Sequence, residues 1–308
     1  MNAARNKGRL AAIGAVVVGA ALALAGCASG DPLSSGSGSD SSTGTGDTIV
    51  VGSQAYYSNE IIAEIYSQAL ENAGYTVDRK FQIGQRDAYL PALEDGSVDL
   101  IPEYTGNLLQ FYEKDTTATA SEDVYAALKD ALPEGLTVLE QSPATDQDSY
   151  NVTKAFADKY NLKTIADLKN VTEPLILGGA AELETRPYGP TGLKDKYGVT
   201  VGFSATGDTT VDALVAGSVN IANVYSADPS IASKDLVTLQ DPDGLFLASN
   251  VVPLVNKEIA DTIANILDPI DAALTPEGLT ALNVQSVDDE ESSDKIATAW
   301  LTENDLLE

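Results

Sequence analysis

The sequence contains no histidine and only one cysteine, one methionine and one tryptophan in 308 residues. Without histidine, Ser-His and Cys-His nucleophilic catalysis is excluded, and so are zinc sites that need histidine or several cysteines. Walker loops, dinucleotide-binding glycine motifs and Gly-x-Ser-x-Gly elbows are also missing. We therefore expect no cofactor and no metal site, and an enzyme built on this chain would depend on carboxylate, Lys, Tyr or Arg side chains.

Basic residues are scarce. There are 18 Lys and Arg against 46 Asp and Glu, which gives a formal net charge of −28. A surface of this charge repels nucleic-acid phosphates and anionic lipid headgroups, so nucleic acid is not expected as a partner. An acidic shell is also a common means of keeping a protein soluble, and it does not by itself indicate the charge of a ligand.

The N-terminal region has the parts of a lipoprotein export signal. Three basic residues and no acid occur among the first nine, followed by an apolar run over 10–25. That run is shorter than the roughly 20 residues that a membrane-spanning helix needs. It leads into Leu-Ala-Gly-Cys at 24–27, whose thiol is the only one in the chain. The sequence predicts a signal peptide over 1–27, lipidation of Cys27, and an extracytoplasmic protein anchored to the cell membrane.

The remainder divides into a tether and a folded part. Residues 28–46 are mostly Ser, Gly, Thr and Asp, a composition typical of a flexible linker. From Asp47 onward, strand-like and helix-like patterns alternate, which predicts parallel βαβ units and an α/β fold. The C-terminal helical patterns beyond 259 are too few for a further lobe and are expected to cover the first one.

One phrase occurs twice in the folded part. Residues 92–100 and 213–221 both read as the end of a helix, a Gly turn and a strand, and each strand is followed by a tyrosine, Tyr104 or Tyr225. Two α/β lobes of similar build are the simplest interpretation of this repetition.

Several segments resemble a known family. Val51 to Glu60 and Asp99 to Asn107 look like the signature blocks of the glycine betaine/carnitine/choline-binding lipoproteins of ABC transporters, the OpuAC-like substrate-binding domains. Pro-Glu-Tyr-Thr-Gly at 102–106 is the most specific of these signals. Because 160–168 and 241–253 match as well, the resemblance covers essentially everything after Asp47.

The resemblance implies a fold and a partner. The fold would be the two-lobed periplasmic-binding-protein type, type II-like, with a hinge and a ligand cleft. Lobe 1 would comprise 47–148 plus 254–308, and lobe 2 would comprise 149–253. A monomer would close around a quaternary-ammonium solute and deliver it to the transmembrane permease subunits of an ABC importer.

A quaternary ammonium has no N–H to donate, so a protein recognises it with the negative faces of aromatic rings. The chain has 13 tyrosines against five phenylalanines. The resemblance assigns such a cage to Tyr104, Tyr150 and Tyr225. The fourth cage position of the family is Ser249 here, and Tyr56 or Tyr57 is a candidate substitute.

Three polar positions follow from the same resemblance. Arg186 matches an arginine that receives the carboxylate of betaine-type ligands. Gln54 stands where the carboxylate-binding members of the family often have Lys, and Asn107 stands where the family commonly has Thr or Asp. Choline or another cation without a carboxylate therefore remains a candidate ligand beside glycine betaine and carnitine.

A solute-binding protein would not be an enzyme. Two other classes of function are alternatives to it. A secreted lipoprotein hydrolase could use paired carboxylates drawn from Asp99, Glu103 and Asp148. A non-catalytic surface scaffold would need only the acidic surface.

Overall fold

The computed structural model describes residues 48–307, which belong to one compact unit. The predicted signal peptide, Cys27 and the tether lie outside the described residues. The strands, β1 to β10 in chain order, span Thr48–Gln54, Thr76–Gly84, Leu100–Tyr104, Leu136–Val138, Asp148–Thr153, Ile176–Gly179, Gly202–Ala205, Ile221–Tyr225, Leu236–Thr238 and Val251–Asn256. The α-helices, α1 to α11, span Tyr57–Asn72, Arg86–Glu94, Thr105–Tyr112, Ser121–Ala131, Lys154–Tyr160, Pro190–Tyr197, Thr210–Val215, Ser230–Ser233, Lys257–Ala273, Pro276–Val287 and Ser293–Glu303. Short 3-10 helices span Ile165–Asn170, Ala181–Thr185 and Gly207–Thr209.

The strands form two five-stranded sheets with the same plan. The first has the order β2-β1-β3-β10-β4 and the second the order β7-β6-β8-β5-β9. In each sheet three neighbouring strands are parallel, and the next strand, β10 or β5, is antiparallel to both of its neighbours. The α/β class and the two-lobed architecture are therefore confirmed.

The chain passes between the sheets twice, once between β4 and β5 and once between β9 and β10. The predicted lobe boundaries fall inside strands, because Asp148 begins β5 of the second sheet and residues 251–253 belong to β10 of the first. Val251 pairs with Tyr104, and Asp148 pairs with Tyr225. Each crossing thus ends beside a strand that carries one of the two repeated tyrosines.

Each sheet has its own apolar core. The first lobe is covered by α1 and by the C-terminal helices α9, α10 and α11, as the sequence predicted. The single tryptophan, Trp300 on α11, is buried in this core. Within 48–307, none of the helices combines the length and the apolar character needed to cross a membrane.

Candidate ligand-binding cleft

A cleft lies where strand ends of the two sheets meet. Gln54 ends β1, Tyr104 ends β3 and Tyr225 ends β8, and the carboxyl ends of parallel strands are where α/β proteins bind ligands. Six of the seven residues proposed as ligand contacts from the sequence line this cleft: Gln54, Tyr56, Tyr104, Asn107, Arg186 and Tyr225.

Three tyrosine rings from both lobes meet in the cleft. The ring centroids of Tyr56 and Tyr225 are 5.2 Å apart, and those of Tyr56 and Tyr104 are 6.2 Å apart, with interplanar angles of 23° and 28°. Tyr56 occupies the turn between β1 and α1, which carries its ring to the end of β8. Burial raises the pKa of all three hydroxyls, so the rings stay neutral at physiological pH.

The structure does not bring Tyr150 to this cleft. Its side chain is fully buried in the core of the second lobe, where the ring meets Phe246 edge-on at a centroid distance of 5.0 Å. The hydroxyl donates a hydrogen bond to the carbonyl of Tyr188. The tyrosine that lines the cleft from this part of the second lobe is Tyr188 itself.

Ser249 holds a neighbouring side chain in place. Its hydroxyl donates to Asn107 Oδ1 at 2.6 Å and accepts the backbone N–H of Asn107 at 3.2 Å. Asn107 Nδ2 in turn donates to Asp148 at 2.5 Å and to the Tyr188 hydroxyl at 3.0 Å. Asn107, on α3 of the first lobe, is therefore fixed against two residues of the second.

Tyr104 is positioned by a buried ion pair. Glu103 is fully buried and receives two hydrogen bonds from Arg86, from Nε at 2.8 Å and from Nη2 at 2.7 Å. The Tyr89 hydroxyl also donates to Glu103, and the backbone N–H of Tyr104 donates to it at 2.8 Å. The carboxylate thereby fixes the main chain at the tyrosine that faces the cleft.

Gly106, the last residue of the Pro-Glu-Tyr-Thr-Gly string, permits a close approach. A Cβ at this position would lie 2.5 Å from the carbonyl oxygen of Ala248 and 2.9 Å from Leu247 Cβ. The start of α3 can therefore rest on the second crossing segment only because this residue has no side chain.

Two buried carboxylates form an acidic wall. Asp146, in the first crossing segment, is 2% exposed and accepts the Ser58 hydroxyl and the Ala227 N–H, both at 3.1 Å. Burial raises its pKa to about 7 in spite of these two hydrogen bonds. Asp148 accepts from Asn107 and, at 2.6 Å, from Asn223 Nδ2.

The cleft also contains hydrogen-bond donors that could bind an anionic group. Gln54 is 3% exposed, and its Nε2 has no hydrogen-bond partner among the described residues. The Arg186 guanidinium carbon lies 5.8 Å from the centroid of the Phe111 ring, and no ion pair of Arg186 occurs within 48–307. These donors can receive a ligand acceptor. The same part of the chain holds no cluster of three or more potential metal ligands.

The cleft residues that were not identified from the sequence include Arg86, Asp146, Tyr188 and Asn223. Only Asn223 carried a usable signal, since it lies two positions before Tyr225 on a predicted strand, and alternate residues of a strand share a face.

Two similar lobes, two chain crossings and a cleft at the strand ends define the class of two-lobed solute-binding proteins. Residues 47–303 match the family model described as the substrate binding domain of ABC-type glycine betaine transport systems. The chain belongs to this family, which confirms the resemblance found in the sequence.

Similar proteins agree with that assignment. The glycine betaine-binding protein YehZ of Escherichia coli K12 is 28% identical over 272 residues, which cover 82% of this chain and 89% of that protein. The glycine-betaine-binding protein of Pseudomonas aeruginosa PAO1 is 25% identical over 283 residues, which cover 85% and 89%.

Solved structures show the same fold. A structure described as a glycine betaine/carnitine/choline ABC transporter superposes with a TM-score of 0.69 at 19% identity, covering 86% of this chain and all of the other. Apo YehZ of E. coli superposes with a TM-score of 0.62 at 27% identity, covering 84% and 99%. A choline-binding protein in complex with choline superposes with a TM-score of 0.60 at 16% identity, covering 84% and 89%.

Proposed function

We propose that this chain is the extracytoplasmic solute-binding component of an ABC importer and that its solute is a quaternary ammonium of the glycine betaine, choline or carnitine type. The observation that carries the proposal is the meeting of Tyr56, Tyr104 and Tyr225 from two lobes in one cleft. A cation without N–H groups is attracted to such ring faces, at up to about 2 kcal/mol for each desolvated contact.

The acidic wall adds to this attraction. Asp146 and Asp148 line the same cleft as the three rings. A permanent positive charge is stabilised by the neutral rings and by the Asp148 carboxylate, and it needs no hydrogen bond from the protein. It also favours the ionised form of Asp146, whose pKa is about 7 without a ligand.

A carboxylate on the solute has its own partners. Gln54 Nε2 from the first lobe and the Arg186 guanidinium from the second are donors that no described acceptor occupies. An arginine fork suits a carboxylate, so a zwitterion would place its cation at the rings and its carboxylate near Arg186. A solute held in this way bridges the lobes and favours the closed conformation. The permease would receive the protein in this closed, ligand-bound form.

The anchor and location belong to the same proposal. A lipid chain on Cys27, followed by the tether over 28–46, would keep a monomer on the outer face of the membrane beside the permease. Mass spectrometry of the purified protein should find an acylated Cys27 at the mature N-terminus. Cys27→Ser should release the chain from membranes, and a chain that stays membrane-bound after this change would contradict the anchor.

The hydrolase alternative finds little support in the geometry. Glu103 is saturated by Arg86, Tyr89 and the backbone, and Asp148 accepts at both oxygens. Asp99 accepts the backbone N–H of Val50 at 2.8 Å. A general acid or base needs a carboxyl that can reach a substrate proton, and these three are committed to the fold.

A ligand panel tests the proposal. Glycine betaine, choline, carnitine and tetramethylammonium are added to the purified chain, and binding is measured by calorimetry and thermal unfolding. A true solute should add about 2.7 kcal/mol of stability at a hundred times its Kd. Absence of binding by every quaternary ammonium would refute the proposed solute class.

Variants separate the two halves of the site. Tyr104→Ala should raise the Kd for all of these cations by about 30-fold, the equivalent of one cation–π contact. Arg186→Ala should weaken the binding only of ligands that carry a carboxylate. Tyr160→Ala is the matched control, because that tyrosine lies outside the cleft and donates to the exposed Glu173.

A further inference from the structure

Hydrogen bonding fixes the orientation of one amide in the cleft. Asn223 Nδ2 donates to Asp148 Oδ1 at 2.6 Å. A carboxylate oxygen is an acceptor, so the amide nitrogen of Asn223 must face Asp148 and its oxygen must face elsewhere. The other oxygen of Asp148 is held by Asn107, which keeps this arrangement rigid.

The oxygen of that amide has no donor. Asn223 Oδ1 is buried and accepts no hydrogen bond from any described residue. Buried acceptors without a partner are rare in folded proteins because they lose their hydration without compensation. Asn223 lies two positions before Tyr225 on β8 and lines the same cleft as the three tyrosines, so the side chain with the unmet acceptor belongs to this cleft.

Most groups on a quaternary-ammonium zwitterion cannot supply the missing donor. A trimethylammonium group has no N–H, and an ionised carboxylate only accepts. A hydroxyl, in contrast, donates one hydrogen bond and keeps lone pairs for a donor such as Gln54 Nε2, the second unpartnered polar atom in this cleft.

Building on the proposed function, we propose that the cleft selects quaternary-ammonium solutes that carry a hydroxyl, as choline and carnitine do, and that Asn223 Oδ1 accepts the hydrogen bond from this hydroxyl. A solute without the hydroxyl leaves the acceptor buried and unpaired. The expected difference in Kd is about 5- to 150-fold.

Matched ligands test the idea without altering the protein. Carnitine and γ-butyrobetaine differ only in the hydroxyl, and so do choline and ethyltrimethylammonium. Titration calorimetry on the full chain should give a Kd about 5- to 150-fold lower for the hydroxylated member of each pair. Equal affinities within both pairs would overturn this inference and leave the proposed function intact.

Variants test the role of Asn223. In Asn223→Ala the preference within each pair should fall to about threefold or less, because the amide oxygen proposed to recognise the hydroxyl is removed. Asn304→Ala, a change of the same chemistry at an exposed position of the C-terminal region, should keep it. A preference that survives Asn223→Ala would show that another group recognises the hydroxyl, and failure of every ligand to bind would refute the proposed function and this inference together.

Discussion

Glu103→Gln should be one of the most destabilising single changes in the first lobe. The substitution removes the charge that compensates Arg86, whose side chain is only 7% exposed. It also replaces an acceptor oxygen by an NH₂ group facing donors from Arg86, Tyr89 or Tyr104. Breaking a buried ion pair on one side costs about 3–5 kcal/mol.

That loss should be visible in both thermal and chemical unfolding. For a domain of this size, 1 kcal/mol corresponds to about 2–4 °C in Tm, so a fall of about 6–20 °C is expected. Calorimetry and urea titration, followed by circular dichroism, measure the change. Because the Tyr104 main chain is bound to the same carboxylate, affinity for the solute should fall as well.

The matched control is Glu71→Gln. Glu71 is 42% exposed and pairs with Arg79 at 2.6 Å on the surface, an arrangement worth about 0–1 kcal/mol. If Glu103→Gln costs no more than this control, the buried pair does not organise the end of β3 and the reasoning fails.

Three further predictions concern the cleft and its supports. Asp146, whose pKa burial raises to about 7, holds a proton in the folded chain at pH values where the unfolded chain has lost it. Wild-type stability should therefore fall as pH rises from about 4 to 7. Asp146→Asn should flatten that part of a urea-midpoint profile, and an unchanged profile would contradict the assignment. Gly106→Ala should cost about 1–3 kcal/mol by driving α3 off the Ala248 carbonyl, and wild-type stability in this variant would argue against the tight contact. Tyr150→Phe should cost about 1–3 kcal/mol because the buried Tyr188 carbonyl loses its donor, which a neutral result in thermal unfolding would refute.

The sequence identified the strand-end tyrosines because their signal is local. The repeated helix, Gly turn and strand around Tyr104 and Tyr225 predicts where each strand stops, and strand ends face the cleft of an α/β lobe. The position of Tyr150 depends on Tyr188 and Phe246, which lie far along the chain. No local pattern reveals that these residues hold its hydroxyl and ring inside the core.

Strand β5 cannot be predicted from its own sequence, for a related reason. Its sequence, Asp-Ser-Tyr-Asn-Val-Thr, has too few apolar residues to read as a buried strand. In the structure the polar side chains are satisfied by neighbouring strands: the Ser149 hydroxyl donates to the Val224 carbonyl at 2.6 Å, and Asn151 Oδ1 accepts from Thr238 at 2.5 Å. Such pairing depends on the assembled sheet, so the local sequence pattern does not reveal this strand.

The location of Trp300 decides which optical signals can follow this protein. The only indole of the chain is buried on α11 in the core of the first lobe, while the residues that line the cleft include tyrosines and no tryptophan. Tryptophan fluorescence should therefore report the unfolding of the first lobe and change little when a solute binds. Ligand binding is better followed through the near-ultraviolet circular dichroism bands of the tyrosines. One sample can then report unfolding and ligand binding at separate wavelengths.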